Sequence, residues 1–417
     1  NANRYEMSTE RITGRLVDVV HREIRAVEMV IGNGRIEKVN EVNESGGPYI
    51  LPGFVDAHIH IESSLVTPLS FSYEAVKKGT IGVMTDPHEI ANVMGIGGVE
   101  YMINSAKKSP LKIIFGAPSC VPATAFESAG DNVSPTDIET LFRSGKASFL
   151  SEMMNFPGVI HQDPEVLEKL KLARRYGVPA DGHAPGLTGS ALQQYIDSGI
   201  STDHECSSIE EAREKLQRGM KIIIREGSAA RNFEELIPLL DQYPEKIMFC
   251  TDDLHPDDLI NGHINKMVKR ALQLGYDLFD VLRAGSYNAI KHYGSKQGLL
   301  QEGDAADFIL VDDLNEMDIR ATYIDGRPVY RDQKVLISES NDEEINYFQA
   351  EEVTNDALQL VAETGIIRVM IAADGELYTG SENHHATVED GLAISDIHRD
   401  ILKIVVLNRY DQSAPAI

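Results

Sequence analysis

The chain has 417 residues, with 65 Asp and Glu against 39 Lys and Arg, a formal charge of −26. That balance offers no basic footprint for nucleic acid. No apolar stretch reaches the length of a transmembrane helix, and the polar N-terminus lacks a signal core, so neither membrane nor nucleic-acid partners are expected.

The length suits a large α/β barrel with a smaller second domain. Cys120, Cys206 and Cys250 lie far apart and form no CxxC, which fits a reduced compartment and an expected cytoplasmic location. The chain opens on Asn1-Ala2 without a Met, and that pair reads as a cloning remnant.

Residues 11–50 hold short β-type segments with turn signals such as Gly32-Asn33-Gly34. The apolar run 49–57 reads as one buried strand and ends in His58-Ile59-His60. Residues two apart on a strand share a face, so both imidazoles aim at one spot. That is a metal clamp if other ligands converge there, although the spacing alone also occurs at ordinary polar edges. Further β-type runs follow at 79–86, 111–117, 147–153, 178–183, 200–204, 220–225 and 246–252. Helical periods separate them, as at 163–176, 189–198, 208–218 and 232–243, several with Ser, Asp or Asn caps and a terminal Gly. Eight strands alternating with helices predict a TIM-like (β/α)8 barrel over residues 51–299.

Residues 305–335 return to short β segments. Together the two ends predict a split β-sandwich from 1–50 and 300–336. Residues 337–417 read as a short C-terminal α+β region entered through an acidic linker at 338–344. Strands are expected there at 366–373 and 401–407, and the stop so soon after an apolar strand reads as an incomplete domain.

In such barrels, chemistry sits where strand C-termini meet loops. Those ends supply His58 and His60; Asp86, His88 and Glu89; Glu152; His183; His204 with Glu205; and Asp252 with Asp253. One His at a strand end is ordinarily structural. The whole set is not, because buried imidazoles and acids are costly unless paired or metal-bound. A single catalytic zinc takes three protein ligands and a water. His58, His60, Glu152, His183, His204 and Asp252 therefore suffice for two divalent ions about 3.5–4 Å apart, with Glu152 bridging. Nitrogen and carboxylate donors suit Mn, Fe or Zn alike. Such a centre lowers the pKa of a shared water toward ~7, and Asp252 is expected to accept its proton during attack.

Other residues carry two readings. Glu62, Ser63 and Ser64 suit a helix cap, yet Glu62 is in register with His58 and His60 and points at the same spot. Asp86, His88 and Glu89 either cap a loop or take part in catalysis, with Glu89 expected to shuttle a proton from a raised pKa and His88 to orient it. Arg225 and Ser228 read as an ion pair and a cap, or as substrate contacts. Thr251 reads as structural, and Asp304 and Asp307 as shaping a turn. His161, His255, His263 and His292 are expected on the surface or in loops, as is the pair His384-His385.

The set resembles the amidohydrolase superfamily, with HxH on the first strand, His on the fifth and sixth, and Asp on the eighth. Within it, five stretches resemble the adenine deaminase (adenine aminohydrolase) family. They are residues 52–64, Asp86-Pro87-His88-Glu89 through Val93, Glu152-Met153-Met154-Asn155 through Val159, Asp181-Gly182-His183-Ala184-Pro185, and Arg225-Glu226-Gly227-Ser228. Many superfamily relatives bridge their metals with a carbamylated Lys; Glu152 here fits the adenine deaminase branch. The resemblance implies hydrolysis of a purine base, adenine, with Glu62, Ser63, Asp86, Arg225 and Ser228 toward the substrate and a homo-oligomer, dimer or tetramer. It also implies that family members run longer at the C-terminus. Rival expectations are a cyclic amidohydrolase, an N-acyl deacetylase, or a catalytically silent binding module.

Overall fold

A computed structural model describes residues 9–43, 46–124, 126–338, 340–345, 348–350, 352–374 and 379–417. Asn1-Ala2 and Glu339 of the acidic linker lie outside them. Contacts divide the chain into two compact units, one of residues 1–124 and 131–342, the other of 125–130 and 343–417.

The first unit opens with β1 (Glu10–Asp18), β2 (Glu23–Gly32), β3 (Arg35–Glu41) and β4 (Tyr49–Pro52). These join β13 (Phe308–Val311), β14 (Ile319–Ile324), β15 (Arg327–Arg331) and β16 (Lys334–Val335) from the far end of the unit. The result is one eight-stranded sheet in the order β16-β15-β14-β13-β4-β1-β2-β3. Its junction is β4, parallel to β1 and antiparallel to β13. Alternation along β1 buries Ile12, Leu16 and, across the sheet, Phe308 and Tyr323 in a small core of their own.

The run 49–57 is not one strand. It breaks at Gly53, where a Cβ would meet Ile81 Cγ2 at 2.2 Å. Only glycine allows that approach, so the chain leaves the terminal sheet at Pro52 and starts the barrel at β5 (Phe54–Ile59). The barrel continues through β6 (Thr80–Thr85), β7 (Lys112–Ala117), β8 (Phe149–Met153) and β9 (Ala180–Gly182). It ends with β10 (Thr202–Asp203), β11 (Lys221–Arg225) and β12 (Ile247–Cys250). All the pairings within these two runs are parallel. Single parallel bridges, Ala180 to Ile200 and Ile59 to Asp252, close the ring. At the second seam His60 N–H donates to Asp252 O at 3.0 Å and Asp252 N–H to His58 O at 2.9 Å. The backbone thus fixes the HxH pair against the acid of the last strand.

The helices between strands carry the predicted punctuation. Pro164–Tyr176 is capped by Asp163, whose carboxylate accepts from Glu165 and Val166 N–H, and is followed by left-handed Gly177 (φ 66°). The expected helix over 232–243 is shorter: Phe233–Leu236 is α-helical and Ile237–Asp241 is a 3-10 turn. Pro238 lacks the N–H an α-helix needs there.

In the second unit Ile366–Ile371 pairs antiparallel with Gly380–His385. The expected strand at 401–407 does not form. Among the described residues its only ladder contacts are the isolated bridges of Ile401 to Asp396 and Val406 to Ala416. Leu402, Ile404 and Val406 are exposed, and strand propensity without a surface to pack on specifies little.

Candidate metal centre

The strand ends bring all six expected ligands together. His58 projects from β5 and His60 directly follows it, with their Nε2 atoms 3.1 Å apart. Asp252 Oδ1 lies 3.0 Å from His58 Nε2 and 3.3 Å from His60 Nε2. The His204 ring stacks on His58 with centroids 4.2 Å apart. Glu152 sits in the middle. Its Oε1 is 3.3 Å from His60 Nε2 and 3.5 Å from His88 Nδ1. Its Oε2 is 2.6 Å from His183 Nδ1 and 3.1 Å from His204 Nε2. One carboxylate therefore faces imidazoles from four segments. The fourth, His88, stands 3.1 Å from Asp86 Oδ2.

These residues fit metal ions. His58, His204 and Asp252 form one group whose ligand atoms lie within 4.8 Å of one another; Glu152, His183 and His204 form a second, and His60, Asp86, His88 and Glu152 a third. His58 Nδ1 and both ring nitrogens of His204 are buried without a hydrogen bond among the described residues. His204 Nε2 is near Glu152 and Asp252 but not aligned to donate to either. A buried nitrogen so placed, as His204 Nε2 is, is costly unless its lone pair is used. Imidazole and carboxylate donors are what Zn, Fe or Mn would take.

The field points the same way. Burial alone would push the Asp252 carboxyl up, but the Arg225 guanidinium and hydrogen bonds from His58 and His60 hold it well below the usual carboxylate range. Burial likewise opposes ionisation of Glu152, and His183, His204 and His60 hold it well down. His183 loses to burial but is raised to about 9 by Glu152. The carboxylates draw positive charge into a buried pocket, which is what a cation site requires.

The acids at the rim differ from expectation. Burial raises Glu89, but the charges of His60 and His88 outweigh it and hold it below the usual range. Its carboxylate is 3.3 Å from His60 Nδ1 and 3.6 Å from His88 Nε2. The expected raised pKa belongs instead to Glu62, pushed up to about 8 by burial and by the negative Glu89. Glu62 does cap a helix, though not the one next in sequence: its Oε1 accepts Ile90 N–H at 3.3 Å, in the first turn of His88–Ala106. Its Oε2 and Asp86 Oδ1 are buried without hydrogen-bond partners among the described residues.

The chain matches the family model of the amidohydrolase family over residues 49–329. It is 50% identical over 414 residues to an adenine deaminase of Methanosarcina mazei, covering 96% of this chain and 75% of that protein. It is also 50% identical over 412 residues to an adenine deaminase of Parabacteroides distasonis, covering 99% and 76%. The chain belongs to the adenine deaminases of the amidohydrolase family. Among solved structures, a β-aspartyl dipeptidase from Fervidobacterium islandicum superposes with a TM-score of 0.59 at 15% identity, covering 81% of this chain and 99% of that one. Enamidase does so with 0.55 at 14%, covering 77% and 96%. At those identities the likeness shows the fold alone.

In this adenine deaminase family member, three residues expected at the substrate are held by the protein itself. Ser63 Oγ donates to Asp253 Oδ1 at 2.6 Å. Ser228 Oγ donates to Asp258 and accepts His255 N–H at 2.9 Å, the capping alternative. Arg225 is buried and spans Asp252 Oδ2, at 2.6 Å, and Glu205. That geometry orients Asp252. Arg225→Met is expected to lower kcat by ~10–100-fold, the usual cost of losing a group that orients a ligand. Steady-state kinetics on metal-quantified protein checks it: a raised KM at unchanged kcat would return Arg225 to the substrate.

Sequence reasoning missed the acids beneath the ligands. Asp56 accepts from His58 N–H at 3.1 Å and from Thr251 Oγ1 at 2.5 Å, so Thr251 is structural as expected. Asp181 accepts from Tyr293 OH at 2.8 Å and Thr202 Oγ1 at 2.9 Å. Asp203 accepts Ala184 N–H at 3.0 Å and Glu205 N–H at 2.8 Å. The spacing Asp-x-His at Asp56-His58 and Asp181-His183, already seen at Asp86-His88, was the available signal for two of them; Asp203 directly precedes His204 and lay outside that pattern. Two histidines expected at the surface or in loops are interior. His263 is buried, 2.7 Å from Thr80 Oγ1 and 3.0 Å from Asp56. His292 is enclosed beside Lys221 Nζ at 2.9 Å and is driven down to about 3 by burial and that charge. His161 and His255 are exposed. Among the described residues no helix is long and apolar enough to cross a membrane.

Proposed function

We propose that the chain hydrolyses adenine to hypoxanthine and ammonia at a centre of two divalent ions. The observation that carries this reading is Glu152, whose two oxygens each face a separate pair of imidazoles. When bound, Mn, Fe or Zn supplies an activated water at neutral pH. His58, His60, Glu152, His183, His204 and Asp252 would hold the ions. Asp252, kept ionised by Arg225, would take the proton released as C6 is attacked. A protonated carboxyl then serves a ring nitrogen, and the proton taken by Asp252 would pass to the amine that departs as ammonia. Glu62 is the candidate, because burial and the Glu89 charge favour its protonated form and its Oε2 has no hydrogen-bond partner among the described residues. Asp86 Oδ1, likewise buried and unpaired, is the candidate acceptor for the substrate's amino group. Glu89 and His88 hold His60 and one another in place.

Ammonia release from adenine by metal-replete protein tests the reading. Adenine is expected to turn over, while hydantoins, dihydroorotate and acetylated amino sugars stay untouched. A site built to pair hydrogen bonds with a free base discriminates sharply against ligands that leave its groups unpaired. Adenosine is therefore expected to be refused, and a comparable kcat/KM for adenosine would point to a nucleoside enzyme instead.

A further inference from the structure

Lys215 is fully buried, on the helix Ile209–Gln217 behind the loops that carry His183 and His204. Its ammonium donates to Ala184 O at 2.8 Å and to Glu211 Oε1 at 2.7 Å, and lies 3.2 Å from Asp203 Oδ2. The same Asp203 oxygen accepts Ala184 N–H at 3.0 Å. Both peptide groups of the residue following His183 are therefore gripped, one by the lysine and one by the acid that immediately precedes His204. Glu211 extends the grip, accepting Gly186 N–H at 2.8 Å and Ser207 N–H at 3.3 Å. Two loops from different strands are thus tied to one ion cluster.

A buried cluster of this kind is weak evidence for stability, since apolar residues of the same volume commonly do as well or better. Its directional bonds do something apolar packing cannot: they fix one backbone relative to another. Here the backbones belong to two imidazoles that meet on Glu152 Oε2, with ring centroids 5.4 Å apart.

We infer that Lys215 is a positioning residue, and that the Lys215–Glu211–Asp203 cluster sets the spacing of His183 and His204 for metal binding. The inference rests on the metal reading above. Its test is titration of the chelator-stripped full chain with Co²⁺, reading affinity and the visible ligand-field spectrum. Lys215→Met should bind Co²⁺ ~10–100-fold more weakly, with a shifted spectrum, as for other groups that orient metal ligands. Lys215→Arg, which keeps the charge, should recover most of the affinity. Lys112→Met removes the ion pairs to Asp307 and Asp325 elsewhere in the unit and should leave the spectrum unchanged.

Wild-type affinity and spectrum in Lys215→Met, even with lowered thermal stability, would make the cluster merely structural and overturn the inference. So would an equal spectral change in Lys112→Met. If Lys215→Met does not fold, Glu211→Gln, of the same shape, should weaken Co²⁺ severalfold, and unchanged affinity there overturns the proposal. A wild-type chain that takes up no Co²⁺ would sink the metal reading itself, and the inference with it.

Discussion

Glu152→Gln should lose metal and nearly all activity while keeping its fold. The carboxylate is buried between four imidazoles, with one oxygen toward His60 and His88 and the other toward His183 and His204. A carboxamide keeps the volume but has one acceptor oxygen and no charge, so it cannot serve both sides. The penalty should exceed the ~10–100-fold typical of losing a group that only orients a ligand. Elemental analysis after dialysis is the direct measurement. Thermal unfolding is the second: ligands that bind only the native state raise its stability, so added Zn²⁺ or Mn²⁺ should raise Tm in the wild type and leave the variant where it was. Both ions retained at wild-type affinity would remove Glu152 from the bridging position.

The convergence of the six expected side chains was legible because it is local. A strand end fixes which residues share a face, and His58, His60, Glu152, His183, His204 and Asp252 each close an apolar run. What packing decides was not legible. The break at Gly53 depends on Ile81 from the next strand, and the burial of His263 depends on Thr80 and Asp56 meeting it across the barrel seam. Pro238, inside the helix expected over 232–243, withholds an N–H that helix would need, and the chain tightens to a 3-10 turn there. At 401–407 the residues are apolar enough for a strand, but Leu402 and Ile404 stand exposed. Composition reports what a segment can pack against, not whether a partner is there.

The acid that serves the purine ring is where residue type and geometry part company. Glu89 sits beside the clamp in sequence and looked the better shuttle, but its oxygens face His60 Nδ1 and His88 Nε2 and it is held ionised. Glu62 spends one oxygen on Ile90 N–H and keeps the other buried without a hydrogen-bond partner among the described residues. Burial and the neighbouring Glu89 charge favour its protonated form. Glu62→Gln should therefore fold, keep its metal and lose ~10²–10⁴-fold in kcat, the usual size of a general acid contribution. Glu89→Gln removes the charge that steadies His60 and His88, so it should cost less in kcat and show part of its loss as weaker metal binding. Kinetics on both variants, each with its metal content measured, separate the roles. A near-normal kcat in Glu62→Gln together with a ~10²-fold or larger fall in metal-replete Glu89→Gln would hand the proton back to Glu89.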